Sequence, residues 1–151
     1  MGRVANLILR QVGDGDWYGV NITQGRLELE DCDINGQGVA CVGIRGGADP
    51  RLLRRNRVHD SEHSGVFVHE AAQGVVEDND IFGNTYAGVE IESGGSPTLH
   101  RNRINRNGHA VGVHEGGSGT VEDNDLRDNK RGAWDVSSDS EPKLTRVRNL
   151  E

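Results

Sequence analysis

One asparagine recurs along the chain at almost constant spacing. Asn56, Asn79, Asn102 and Asn124 are separated by 23, 23 and 22 residues. A fold built on this sequence must therefore return to the same structural position every 22 to 24 residues. The flanking text repeats with the asparagine: GVVEDNDIFGN over Gly74–Asn84, PTLHRNRINRN over Pro97–Asn107, and GTVEDNDLRDN over Gly119–Asn129. Cys32 takes the asparagine's place one repeat earlier and Val12 before that, while Val147 takes it near the C-terminus.

Apolar columns keep the same period. One runs Leu9, Leu29, Leu53, Val76, Leu99, Val121, Leu144, and a second Ile34, Val58, Ile81, Ile104, Leu126. A third, Val20, Val42, Val66, Val89, Val111, Trp134, lies two residues before a fourth, Ile22, Ile44, Val68, Ile91, Val113, Val136. The last two together give V-x-I-x, the two-residue alternation of a short strand with one buried face. Small residues (Gly19, Cys41, Gly65, Gly88, Ala110, Ala133) precede that strand, where a larger side chain would crowd the bend. No stripe of 3.6-residue period survives over ten residues, so helices are nearly excluded.

The pattern predicts an all-β chain, a right-handed parallel β-helix of about six to seven rungs with two or three short strands each, forming a single domain over residues 1–151. Only 33% of residues are hydrophobic and 27% are charged, a composition compatible with disorder, but the charges fall in register. Stacking at strand spacing gives the asparagine column its role, because an amide side chain both donates and accepts. A second polar column, Gln37, Ser61, Asn84, Asn107, Asn129, does similar work at the next turn.

The residues flanking the asparagines alternate in sign. Glu30, Asp31 and Asp33 are followed one rung on by Arg54, Arg55 and Arg57. Then come Glu77, Asp78 and Asp80; His100, Arg101 and Arg103; Glu122, Asp123 and Asp125; and finally Arg146 and Arg148. In a parallel stack each acid lies over and under a base. A slip of one rung would set like against like, so the alternation reads as a device that fixes register.

Function is written more faintly. The net charge of −7 offers no footprint for nucleic acid. No apolar run approaches the ~20 residues that span a bilayer, and Met1–Arg10 has no signal-peptide pattern. A cytoplasmic location is therefore expected of the chain as given, although a piece excised from a longer protein would read the same. Cys32 and Cys41 fall in interior columns and read as buried thiols, not as a disulfide framework. The Gly13–Asp16 stretch GDGD lacks the spaced ligands of a calcium loop and reads as a turn. Trp17, Tyr18 and Tyr86 are expected to cap or widen the helix at bends.

The most irregular columns are the outward positions of the V-x-I-x strand: Asn21, Gly43, Phe67, Glu90, Gly112, Asp135, and Thr23, Arg45, His69, Glu92, His114, Ser137. His69, Glu92 and His114 are consecutive in one column, with Glu70 and Glu115 beside the histidines. These residue types suit acid–base chemistry on a sugar chain, with Glu90 as a further candidate, or a zinc site formed by His69, Glu92 and His114. No cofactor is predicted, with calcium or zinc as the alternative. Arg45, Phe67, Glu70, Glu115 and Asp135 are candidate ligand contacts, and Phe67 is the one aromatic on this face expected to meet a sugar ring.

The pattern N-x-I followed by G-V-x-I resembles the right-handed β-helix superfamily that includes pectate lyases. More narrowly, P-T-L-x-R-N-R-I (Pro97–Ile104) and G-T-V-E-D-N-D-L (Gly119–Leu126) look like carbohydrate-binding and sugar-hydrolysis repeats. Such repeats occur in bacterial β-helix proteins, in a periplasmic copper-maturation protein of denitrifiers and in an F-box ubiquitin-ligase subunit. The resemblance covers residues 5–148 and implies a fold more than an activity. Lyases of the superfamily use clustered aspartates and a basic residue; here Arg45 is the only base in the outward columns and has no aspartate cluster. Epimerases carry D-P-H-D, whereas Ala48–Arg51 reads ADPR. The expectation is a non-catalytic binding or scaffold domain that contacts a glycan or protein through this face. The alternative is a polysaccharide lyase, hydrolase or epimerase acting there. Open helix ends point to a homo-oligomer.

Overall fold

The structure is a computed structural model and describes residues 2–13, 15–50 and 52–151, except for the side chains of Leu52 and Leu53. Three parallel sheets run its length. The first contains Gly2–Ala5, Leu27–Glu30, Leu52–Arg54, Val75–Glu77, Thr98–His100, Gly119–Glu122 and Leu144–Val147. The second contains Ile8–Gln11, Asp33–Gly36, Arg57–His59, Asp80–Phe82 and Arg103–Asn105. The third contains Tyr18–Ile22, Ala40–Ile44, Ser64–Val68, Ala87–Ile91, His109–Val113 and Trp134–Val136. Each strand pairs in parallel with its counterpart one rung away, which makes the chain a parallel β-helix of about six turns. The helical content among the described residues is one 3-10 turn, Glu141–Lys143. No helix among them is long and apolar enough to cross a membrane.

Short strands form here because β-branched residues alternate with small or polar ones, and stacking puts like on like. Val42, Ile44, Val66, Val68, Val89, Ile91, Val111 and Val113 fill the interior beneath the third sheet at 0–1% exposure. Leu29, Val76, Leu99 and Val121 line the first sheet, and Ile34, Val58, Ile81 and Ile104 the second. No disulfide links Cys32 to Cys41; both are buried thiols, and burial pushes Cys41 up to about 12.

The asparagine ladder is continuous. The Oδ1 of Asn79 accepts the backbone N–H and side-chain amide of Asn56 at 3.0 and 3.1 Å, and Asn102 and Asn124 repeat the arrangement one rung on. Each amide thus satisfies groups at a buried turn that the sheets leave unpaired. The ladder begins at Cys32, whose N–H donates to Asn56, and ends at Asn149, not at Val147. At the other end Leu7, not Val12, occupies the position before Cys32, because Leu7 carbonyl receives the N–H of Asp33. In the second polar column Ser61, Asn84, Asn107 and Asn129 form an equivalent ladder. Gln37 stands outside it and donates its N–H to Gln11.

Register at the two ends differs from the expected columns in the same sense. Val4, not Leu9, stacks on Leu29, and Leu9 belongs with Ile34 in the second sheet. Arg146, not Leu144, lies opposite Val121. Arg146 consequently leaves the charge ladder; its guanidinium rests 4.4 Å from the Trp134 ring and pairs with Glu141.

Asn6, Asp31, Arg55, Asp78, Arg101, Asp123 and Arg148 all have left-handed backbone, with φ from 50° to 58°. Left-handed backbone costs roughly 1–2 kcal/mol per non-glycine residue. Here it makes the sharp corner just before each ladder position. The side chains at these corners pair in twos: Arg55 with Asp31 at 2.9 Å, Arg101 with Asp78 at 2.9 Å, and Arg148 with Asp123 at 2.8 Å. At these corners each arginine reaches back to the preceding rung, while beside them the alternation runs on: Glu30 lies between Arg3 and Arg54, and His100 between Glu77 and Asp123. Glu30 is the most enclosed acid of the ladder. Hydrogen bonds from Arg3 and Arg54 hold its carboxyl down at about 2.

Candidate functional site

The third sheet turns its irregular columns outward in the register the sequence requires. Asn21, Gly43, Phe67, Glu90, Gly112 and Asp135 are stacked neighbours. Arg45, His69, Glu92, His114 and Ser137 follow one another through backbone bonds to the preceding rung.

Glu90 and Glu92 lie at the centre. Glu90 is only 4% exposed. Its Oε2 accepts the Ser64 hydroxyl at 2.6 Å and lies 3.2 Å from Nε2 of His63. Burial pushes Glu90 up, but hydrogen bonds from His63, Ser64 and Glu92 outweigh it and hold the carboxyl below its usual range. Glu92 shows the opposite shift. Burial, its hydrogen bond to Glu90 and the charges of Glu90 and Glu115 raise it to about 7. His63 is raised by its bond to Glu90. Near neutrality the pair therefore contains one ionised and one substantially protonated carboxyl group.

An aromatic–imidazole cluster flanks the pair on each side. On one side Phe67 stacks on His69 at 4.1 Å, and the Tyr18 hydroxyl lies 3.3 Å from His69 Nε2. Burial lowers His69 and raises Tyr18. On the other side Tyr86 stacks on His63 at 4.8 Å and meets His109 edge-on. Its hydroxyl donates to Asp135 at 2.9 Å, which leaves it to accept Nε2–H of His114 at 2.9 Å. Burial and Asp135 push Tyr86 well above the ordinary phenol range. Among the described residues Nδ1 of His109 is buried without a hydrogen-bond partner.

Glycine makes room for both tyrosines. A Cβ on Gly43 would stand 2.5 Å from the Tyr18 ring, and one on Gly112 would stand 2.9 Å from the Tyr86 hydroxyl. Tyr18 and Tyr86 therefore lie across the outward face instead of capping the bends, and Phe67 is joined there by two further aromatic rings. The two glycines in an otherwise side-chain-bearing outward column were the signal available in the sequence. His63, Ser64 and His109 had no such marker, because they precede the V-x-I-x pattern, His63 just ahead of its strand and Ser64 and His109 at the first strand residue.

His69, Glu92 and His114 are not drawn together as a metal set. His69 and His114 turn to different tyrosines, and among the described residues no group of three His, Cys, Asp or Glu side chains is arranged to hold a metal ion. Glu70 and Glu115 occupy the left-handed bend beside the face, with Glu70 Oε1 3.7 Å from His69. A groove of about 440 Å³ adjoins the face, lined by Gly15, Asp16, Gln37, Gly38, Val39, Glu62 and His63. The GDGD turn falls partly outside the described residues at Asp14, and the ADPR stretch at Arg51.

No solved structure matches this chain. A family model described as the right handed beta helix region matches residues 4–148, nearly the whole sequence and the same span as the stacked rungs. The chain belongs to the right-handed β-helix family.

Proposed function

We propose that the outward face of the third sheet is a non-catalytic glycan-binding surface. The observation that carries this reading is the pair of aromatic–imidazole clusters, Tyr18/Phe67/His69 and His63/Tyr86/His109, set on either side of Glu90 and Glu92. Aromatic rings held in place by stacking and hydrogen bonds offer apolar surface to sugar C–H groups at little entropic cost. Carboxylates between them accept hydroxyl hydrogen bonds and fix orientation. Titration calorimetry against a panel of hexasaccharides tests the reading. Binding is expected, with Phe67→Ala weakening it about tenfold, as loss of one stacking contact would, while circular dichroism stays unchanged. A folded protein that binds no member of the panel would overturn it.

One observation favours a second reading, a carbohydrate-active enzyme. Glu92 is poised near 7 beside an ionised Glu90, the split that acid–base catalysis requires. Appearance of reducing ends or unsaturated sugars, abolished by Glu92→Gln, would establish this second reading.

A further inference from the structure

Charge on the glycan-binding face has mainly one sign. Glu90, Glu92 and Asp135 stand in its outward columns, and Glu70 and Glu115 border it at the bend. The adjoining groove adds Asp16 and Glu62. Against these, Arg45 lies at one end, 6.0 Å over the Tyr18 ring. The other bases near the face stand towards its C-terminal end: Lys143 beside Gly116, and Lys130 and Arg131 at the bend entering the last rung. Between Phe67 and His114, where the aromatic clusters meet the carboxylate pair, no lysine or arginine among the described residues pairs with Glu70, Glu90, Glu92 or Glu115; the acids are met there by imidazoles, His63 at Glu90 and His69 at Glu70. The acids by themselves would only be a solvated patch. Aromatic platforms on both sides turn that stretch into a surface with a preferred ligand charge.

We infer, resting on the glycan-binding reading, that the ligand is a cationic glycan, a polymer of amino sugars whose ammonium groups lie over Glu92 between Glu70 and Glu115, with the buried Glu90 carboxylate beneath, and whose rings lie against Phe67 and Tyr86. An ammonium at this position gains attraction from Glu70, Glu90 and Glu115 together. A uronate polymer would place like charge against all three. Burial first, and then the negative neighbours Glu90 and Glu115, raise Glu92, and an arriving cation would favour release of that proton.

The test compares hexamers of glucosamine, N-acetylglucosamine and galacturonate by calorimetry, in slightly acidic buffer that keeps the amines charged. The glucosamine hexamer is expected to bind about tenfold tighter than its N-acetylated counterpart, the sum of several partly exposed ion pairs. That advantage should largely disappear in ~0.5 M salt. The double variant Glu70→Gln/Glu115→Gln should weaken the glucosamine hexamer severalfold more than the N-acetylated one. Equal affinity for these two, or preference for galacturonate, overturns the charge assignment and leaves glycan binding standing. If no hexamer binds, both readings fall. Glucosamine binding that Phe67→Ala leaves unchanged would show attraction to the acidic surface elsewhere and would also overturn the assignment.

Discussion

Glu92 stands two residues beyond Glu90, just past the end of the Ala87–Ile91 strand, and burial together with the neighbouring Glu90 carboxyl holds on Glu92 a proton that an ordinary glutamate would have lost. This has a consequence for stability. Glu92 is raised to about 7 in the folded chain, against 4.5 for an ordinary glutamate. Between those values the folded state binds more protons than the unfolded state. The Glu92 contribution is thus fully present below the unfolded value and is lost as pH rises through about 7. Partial exposure and screening reduce the effect to about 1 kcal/mol, or about 2–4 °C in Tm for a chain of this size. Glu92→Gln should therefore match the wild type near pH 5 and melt higher near pH 8. Comparing the two proteins cancels the contribution of His69, which Glu92 does not shift. A Tm difference that does not grow with pH would contradict the raised Glu92 carboxyl.

The asparagine ladder gives the largest expected loss from a single side chain. Asn102 Oδ1 accepts two bonds from Asn79, and its amide donates to Val76 carbonyl at 2.8 Å and to Asn124 at 3.0 Å. All of this lies in the interior, with Asn102 2% exposed. Asn102→Ala leaves buried polar groups without these partners and should cost about 2–4 kcal/mol. Urea denaturation would measure it, and a loss below about 0.5 kcal/mol would mean that water enters the ladder.

The sequence exposed the ladder because its geometry demands one residue type at one spacing. The interior of the third sheet was legible for the same reason: Val42, Val66, Val89 and Val111 must alternate with outward residues whatever those residues do. The end rungs were less legible. There Leu9 is as apolar as Val4 and Leu144 more apolar than Arg146, the residues that do fill the first-sheet column, and spacing drifts by a few residues. The dyad pairing of charges was hidden too, because alternation alone does not say whether an arginine reaches forward or back. On the candidate site, Glu90, Glu92, His69 and His114 could be placed on one face from register. Their grouping around Tyr18 and Tyr86 could not, since a long aromatic side chain crosses to the next rung and its position depends on the glycine it covers.

The dyads make a distinct prediction about the charge ladder. Arg101→Asp should destabilise the chain by about 1 kcal/mol, the upper range for a partly exposed pair, because it sets an acid between Asp78 and Asp123. Exchanging the pair, Asp78→Arg with Arg101→Asp, restores the contact between the two positions. It also brings the introduced guanidinium near Arg55 and the introduced carboxylate near Asp123. If stabilisation resides in dyads, the exchange recovers most of the loss in a double-mutant cycle. If the ladder acts as one continuous alternation, the exchange is worse than the single change.

Two glycines separate the fold from the site. Gly88 lies in the small-residue column, where a Cβ would stand 2.2 Å from Ile104 Cγ2 and 3.0 Å from Ala110 carbonyl. Both neighbours are core, so Gly88→Ala should cost about 1–3 kcal/mol through overpacking. Gly112 faces outward, and the three atoms nearest its Cβ would all belong to the Tyr86 side chain, at 2.9 to 3.3 Å. Gly112→Ala should leave Tm within ~2 °C of wild type, as an outward change away from the core does. It should nevertheless push the Tyr86 hydroxyl off His114 and Asp135 and weaken glycan binding severalfold. Melting curves and calorimetry on the two variants check this together. Binding lost in proportion to stability at both positions would mean that the face has no preorganised site, whereas loss of binding at Gly112 with Tm intact ties recognition to the seat of Tyr86.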